Sequence, residues 1–194
     1  MSAAARPVGI LLAAGRGRRF DPAGQQKKLL QVLPETGELV AAASARALTQ
    51  VLGRVVAVVR PDDDDVAAVL RAAGCQVVVC ADADAGMAHS LGAALTASLP
   101  DAPSWIVALG DMPWVAPATI AALADALQGG ATIAAPVFDG RRGNPVGFTG
   151  SLLPELLALR GDEGARSLFR RHAFTAVEVL DAGVLRDVDL PADL

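Results

Sequence analysis

Short apolar runs alternate with alanine- and leucine-rich stretches from one end of this chain to the other, and the alternation constrains the fold more than any other feature. The runs at 8–13, 55–59, 76–80, 105–109 and 132–137 are too short for typical helices and are apolar at successive positions rather than at every second one. Strands buried on both faces have this pattern, because each face meets a layer of helices. Between them, 39–52, 62–73, 89–99, 117–127, 151–159 and 164–172 read as helices. Pro117 suits a first helical position and Ser151 an N-cap. Two further short strands are expected near one edge, at 145–148 and 176–180. Strands alternating with helices imply βαβ units, so the expected class is α/β, a three-layer, mostly parallel sheet flanked by helices. With no internal repeat and no linker, residues 1–194 read as a single domain.

Composition narrows the function. The chain has 17 Lys+Arg against 21 Asp+Glu, a formal charge of −4, so it lacks the basic surplus of a general nucleic-acid binder. Its two cysteines, Cys75 and Cys80, flank one apolar run and supply no disulfide framework; buried thiols in a reducing compartment are expected. Residues 1–7 lack the layout of a signal peptide, and the run 8–14 is far too short to span a bilayer, so no membrane association and a cytoplasmic location are expected. The run Asp62–Asp65 reads as a solvated helix N-terminus, because successive helical side chains diverge by about 100° and do not converge on a metal.

In open α/β sheets, ligands bind beyond the carboxyl ends of the strands. After the first run comes Ala13-Ala14-Gly15-Arg16-Gly17-Arg18-Arg19, then Lys27-Lys28; five of the 17 basic residues fall here. Glycines let backbone N–H groups approach phosphate oxygens, and the cations neutralise them. No Walker A loop is present, and Phe20 takes the third glycine position of a Gly-x-Gly-x-x-Gly fingerprint, which excludes the dinucleotide-binding reading. Asp111, at the end of the fourth run and ahead of Pro113, is well placed for Mg²⁺, which takes one or two carboxylates and fills its shell with phosphates and water. Asp187 and Asp189 share a face of an extended segment, and either serves as a second ligand. Gly86-Met87-Ala88-His89-Ser90 opens a helix whose backbone donors suit a ligand. His89 and His172 stand outside any metal spacing and read as surface or structural, and no serine sits in Gly-x-Ser-x-Gly.

Taken together, these stretches resemble the molybdenum cofactor nucleotidyltransferases, in particular the cytidylyltransferases. The matching pieces run from Val8 to Leu194. Leu12 to Arg19 resembles the family's opening nucleotide loop, and Lys27-Lys28-Leu29-Leu30 its Lys-x-Leu-Leu element, with Lys27 as the motif lysine. Gly86-Met87-Ala88-His89-Ser90-Leu91 is similar to its Gly-Met-x-x-Ser-Leu segment, and Leu109-Gly110-Asp111-Met112-Pro113 to its metal-binding turn. Two later elements, at 142–146 and 161–166, and the ending Asp187-Val188-Asp189-Leu190-Pro191-Ala192-Asp193-Leu194 match as well. The chain departs from the pattern at Phe20, where Met is usual, in the longer stretch Asp21 to Gln26, at Asn144 in place of His, and at Leu190 in place of Thr. Asn144 cannot carry a proton at neutral pH.

The resemblance implies a Rossmann-like nucleotidyltransferase fold and transfer of CMP from CTP to the terminal phosphate of molybdopterin, with release of pyrophosphate. Leu12, Ala13, Ala14, Gly15, Gly17, Lys27, Gly86, Ser90 and Asp111 would bind the nucleotide. Arg18, Arg19 and Lys27 would serve catalysis, and Asp111 and Asp189 would hold Mg²⁺. Residues 143–148 and 161–166 would face the acceptor. A transient contact with a molybdoenzyme maturation factor follows from the product's destination. Guanylyl transfer, transfer to a sugar phosphate, and a non-catalytic carrier of the finished cofactor are the competing readings; retention of both Asp111 and Asp189 favours the enzyme.

Overall fold

The computed structural model describes residues 6–100 and 102–194; residues 1–5, part of the segment read as lacking a signal peptide, lie outside it. The strands are β1 (Val8–Leu12), β2 (Val55–Val59), β3 (Gln76–Val79), β4 (Ser104–Leu109), β5 (Ile133–Phe138), β6 (Arg141–Arg142), β7 (Val146–Thr149) and β8 (Thr175–Glu178). They form one sheet in the order β3-β2-β1-β4-β7-β5, with β6 and β8 both paired to β5. β3, β2, β1 and β4 are mutually parallel, β7 is antiparallel to both β4 and β5, and β8 is parallel to β5.

The helices α1 (Val40–Thr49), α2 (Asp64–Ala72), α3 (Met87–Ser98), α4 (Pro117–Gln128) and α5 (Leu153–Ala158) cover both faces. Leu11, Ala57, Ile106 and Ala108 point to one side and pack with Leu48, Leu70 and Leu123 from α1, α2 and α4. Ile10, Val56, Val58 and Trp105 point to the other and pack with Leu91, Leu95 and Leu156 from α3 and α5. Alternate residues of one strand therefore feed two cores, which is why the strands read as unbroken apolar runs. Among the described residues no helix is long and apolar enough to cross a membrane.

Four expectations need correction. The 145–148 run forms β7, which lies inside the sheet between β4 and β5 rather than near an edge. Pro145 precedes the strand and so costs no ladder bond, and Gly147 leaves room for Leu127, whose Cδ1 would lie 2.9 Å from a Cβ there. Ser151 caps nothing: it sits in a 3-10 turn, Gly150–Leu152, and α5 starts beyond it with Pro154 in its first turn. Ala165–Arg170 is 3-10 rather than α-helical. α3 begins at Met87, two residues before the expected start, because Gly86 turns the chain at φ +117°.

Cys75 and Cys80 are free and buried at the two ends of β3, and burial pushes the Cys75 thiol up to about 11. The Asp62–Asp65 run does more than meet solvent: Asp63 and Asp65 both hold Lys27. His172 pairs with Glu155 at 2.8 Å, a structural contact.

Candidate active site

The carboxyl ends of β1, β2 and β4 open into a cleft of about 820 Å³. Every residue expected from the sequence to bind nucleotide, serve catalysis or hold Mg²⁺ lines it except Lys27. Leu12, Ala13 and Ala14 carry β1 to the rim, where Ala13 N–H donates to Val58 O at 2.9 Å. The chain then turns outward through Gly15 and Gly17. Gly17 has φ +61°, and a Cβ on Gly15 would meet nothing within 4 Å, so the backbone here faces open space. Arg18 and Arg19 extend from this loop, and the Arg19 guanidinium donates to Asp189 Oδ2.

The two adjacent lysines point to different places. Lys28 is drawn inward: its Nζ lies 2.6 Å from Asp111 Oδ2 and 3.6 Å from Asp189 Oδ1, with only 12% of the side chain exposed. Lys27 turns outward to Asp63 Oδ1 at 2.9 Å and Asp65 Oδ1 at 2.6 Å, at the start of α2. The structure thus places Lys28, not Lys27, in the cleft. The offset has a local cause. The carboxylate of Asp21 accepts N–H bonds from Ala23, Gln25 and Gln26 and folds the longer 21–26 stretch into a fixed loop. Leu29 is anchored in the core, so the 3-10 turn Lys28–Leu30 presents Lys28 to Asp111.

Asp111 and the C-terminal acids are joined through the backbone. Val188 N–H donates to Asp111 O at 2.9 Å, and the Val188 side chain is fully buried. Asp187 and Asp189, on either side, both line the cleft. Burial, then the neighbouring charges of Asp189 and Asp111, raise the Asp187 carboxyl above the usual carboxylate range. Asp111 Oδ1 is buried and has no hydrogen-bond partner among the described residues. An orphaned carboxylate oxygen, on an aspartate that shares Lys28 with a second carboxylate, is a donor set suited to a hard divalent cation. No group of three or more His, Cys, Asp or Glu side chains poised for a metal occurs among the described residues, so substrate oxygens or water would complete such a shell.

Across the cleft, the Gly86 turn brings Met87 and Ser90 to the surface of the site. A Cβ on Gly86 would lie 2.2 Å from the Gly161 carbonyl carbon, so this contact demands glycine. Ala88 N–H donates to that carbonyl at 3.0 Å and ties α3 to the 161–166 segment. Asn144, Phe148, Arg166 and Phe169 continue the wall, so parts of both segments expected to face the acceptor do border the cleft. His89 and His172 do not line it.

Sequence reasoning missed Arg60 and Asp84. Arg60 follows β2 directly, and the rule that found Asp111 after β4 would have found it too. Asp84 carries no local signal; only the fold brings it to Arg16 and Arg60. These two guanidinium groups, Arg16 first, hold its carboxyl down to about 2.

A mostly parallel sheet with a glycine–arginine loop, a largely buried lysine and two carboxylates that share it beyond the strand ends suits a protein that handles phosphate chains. Residues 9–177 match the MobA-like NTP transferase domain, and the chain belongs to that family. It is 31% identical over 198 residues to the purine catabolism protein PucB of Bacillus subtilis, covering 96% of this chain and 93% of that protein. The crystal structure of Rv0371c from Mycobacterium tuberculosis superposes with TM-score 0.82 at 30% identity, covering 98% of this chain and 96% of the other. A manganese complex of Rv0371c superposes with TM-score 0.74 at 28% identity, covering 97% and 95%. The fold is accordingly the Rossmann-like nucleotidyltransferase fold, and the activity class is nucleotidyl transfer.

Proposed function

We propose that this nucleotidyltransferase moves CMP from CTP to the terminal phosphate of molybdopterin, releases pyrophosphate and uses Mg²⁺. The observation that carries the transfer chemistry is the carboxylate of Asp111, whose Oδ1 is unpartnered among the described residues and whose Oδ2 shares Lys28 with Asp189, in the cleft that the glycine–arginine loop lines. The manganese bound by the related Rv0371c supports a divalent cation here. The sequence resemblance from Val8 to Leu194 supports CTP and the pterin acceptor.

In the reaction, an oxygen of the acceptor phosphate attacks the α-phosphorus of CTP. The bond from that phosphorus to the bridging oxygen breaks, and pyrophosphate leaves with the electron pair. Such a transfer needs in-line placement and charge neutralisation more than covalent help. The N–H groups of Gly15 and Gly17 and the side chain of Arg18 would receive the phosphate chain. Lys28 supplies positive charge next to Asp111, where the sequence reading had put Lys27. Asp111 and Asp189 would hold Mg²⁺, which when bound neutralises phosphate oxygens. The nucleophile is already an anion, so the absence of histidine from the cleft lining is no obstacle. A cytoplasmic location and hand-over of the product to a molybdoenzyme maturation factor belong to the same reading.

The test is pyrophosphate release with each of the four ribonucleoside triphosphates, with and without molybdopterin and Mg²⁺. Release only with CTP, acceptor and metal together is expected. Release with GTP instead would leave nucleotidyl transfer standing and overturn the cytidylyl assignment. Binding of the finished cofactor without any release would make the protein a carrier.

A further inference from the structure

Three charged side chains at the cleft mouth are tied to one another and, among the described residues, to none of the side chains assigned above to transfer. Asp84, in the 3-10 turn Ala83–Ala85 after β3, accepts both arms of the Arg16 guanidinium, with Nε 2.8 Å from Oδ1. The same Oδ1 lies 2.7 Å from Arg60 Nη2. Arg16 follows β1 and Arg60 follows β2, so one carboxylate links the ends of three adjacent strands. All three residues line the cleft. Arg60 is held in place, with 15% of its side chain exposed and Nη1 3.5 Å from Ala14 O. Arg16 and Asp84 are about half exposed.

A guanidinium binds carboxylate and phosphate through the same forked geometry, so Asp84 fills positions on Arg16 and Arg60 that a phosphate oxygen would use. Exposed ion pairs contribute little free energy, so the carboxylate can be displaced by a ligand that also engages the glycine loop and Lys28. We propose that Asp84 is an internal competitor for the phosphate chain: it neutralises Arg16 and Arg60 in the empty cleft, yields them to an incoming polyphosphate, and returns to them as pyrophosphate departs. This makes Asp84 a residue that sets polyphosphate affinity and product release. The inference rests on nucleotidyl transfer only in that a phosphate chain enters this cleft; it requires neither CTP nor molybdopterin.

The opposite physical role is a brace, in which Asp84 pre-sets the two arginines and its loss weakens anion binding. The two differ in sign, and Asp84→Asn decides between them, because it keeps the shape and removes the charge. Asp82→Asn changes net charge by the same amount at an exposed aspartate that makes no ion pair among the described residues. The probes are inorganic tripolyphosphate and pyrophosphate, titrated calorimetrically at low salt. Asp84→Asn is expected to lower both Kd values by roughly threefold to tenfold, an effect that shrinks as ionic strength rises. Asp82→Asn is expected to stay within about twofold of the unmodified protein. Unchanged or weaker binding in Asp84→Asn, or equal tightening in Asp82→Asn, would overturn the proposal. If CTP proves no better a substrate than GTP while Asp84→Asn still tightens tripolyphosphate, the cytidylyl reading falls and this one stands.

Discussion

On the β1 side of the cleft, Arg16, Arg19, Arg60 and Lys28 each meet a carboxylate. On the β7–β5 side, Arg142 lies over aromatic rings instead, 3.8 Å from the centroid of Phe169 and 5.8 Å from that of Phe174. The first arrangement holds cations in ion pairs that a phosphate chain can replace. The second stacks an exposed cation on aromatic rings, and among the described residues no carboxylate pairs with Arg142. The β1 wall of the cleft is therefore poised to exchange anions, whereas on the other side Phe169 borders the cleft with Arg142 stacked on its ring.

The comparison breaks most sharply at Asp111. Its carboxylate meets only Lys28, and its other oxygen is unpartnered, so Asp111→Ala removes little that holds the fold together. Turnover is expected to fall by on the order of 10²-fold or more at saturating Mg²⁺, with the thermal midpoint nearly unchanged. Asp189→Ala should resemble it, and Asp187→Ala should be milder. Near-unmodified rates for Asp111→Ala would show that the carboxylates on this wall serve only to balance its cations.

The two lysines give the next largest effect. Lys28→Ala should reduce the single-turnover rate by roughly tenfold to a hundredfold, and Lys27→Ala by less than about tenfold. Lys27 acts at a distance, by fastening the loop to Asp63 and Asp65, so Asp63→Asn should reproduce its defect while leaving Lys28→Ala distinct. A larger defect in Lys27→Ala would restore the alignment suggested by the Lys-x-Leu-Leu spacing.

This pair also marks how far the sequence alone reaches. The parallel half was legible because burial on both faces leaves an unmistakable apolar run; β2 was found to the residue, and Asp111 followed from its place at a strand end. The identity of the cleft lysine was not legible, because neighbouring residues on a turn point apart, and only the Asp21-folded loop decides which faces inward. The other half was harder. A four-residue strand behind a proline looks the same at an edge as in the interior, and β7 is interior because it pairs β4 on one side and β5 on the other, partners that no local pattern names. Asp84 escaped because its partners lie 68 and 24 positions away in sequence and meet it only when three strand ends are side by side.

The smallest expected effect concerns the nucleotide. Relatives that transfer guanylyl groups open this loop with Ala-Gly-Gly, whereas the chain has Ala13-Ala14-Gly15. Ala14 lines the cleft, yet it is only 7% exposed and packs among Ile10, Val58 and Cys80. Its methyl group therefore acts less as a direct wall against a purine than as a wedge that fixes where the backbone of the loop lies. Removing it widens the range of backbone conformations at position 14 without creating a large cavity. A methyl in direct contact with a substrate discriminates by about 1–3 kcal/mol, and an indirect one belongs at the lower end of that range. Ala14→Gly is thus expected to reduce the ratio of kcat/KM for CTP over GTP by about tenfold or less, without reversing it. A complete reversal would make this single position the specificity switch. No change at all would move the discrimination away from this loop, with the Gly86–Ser90 turn as the nearest remaining wall of the cleft.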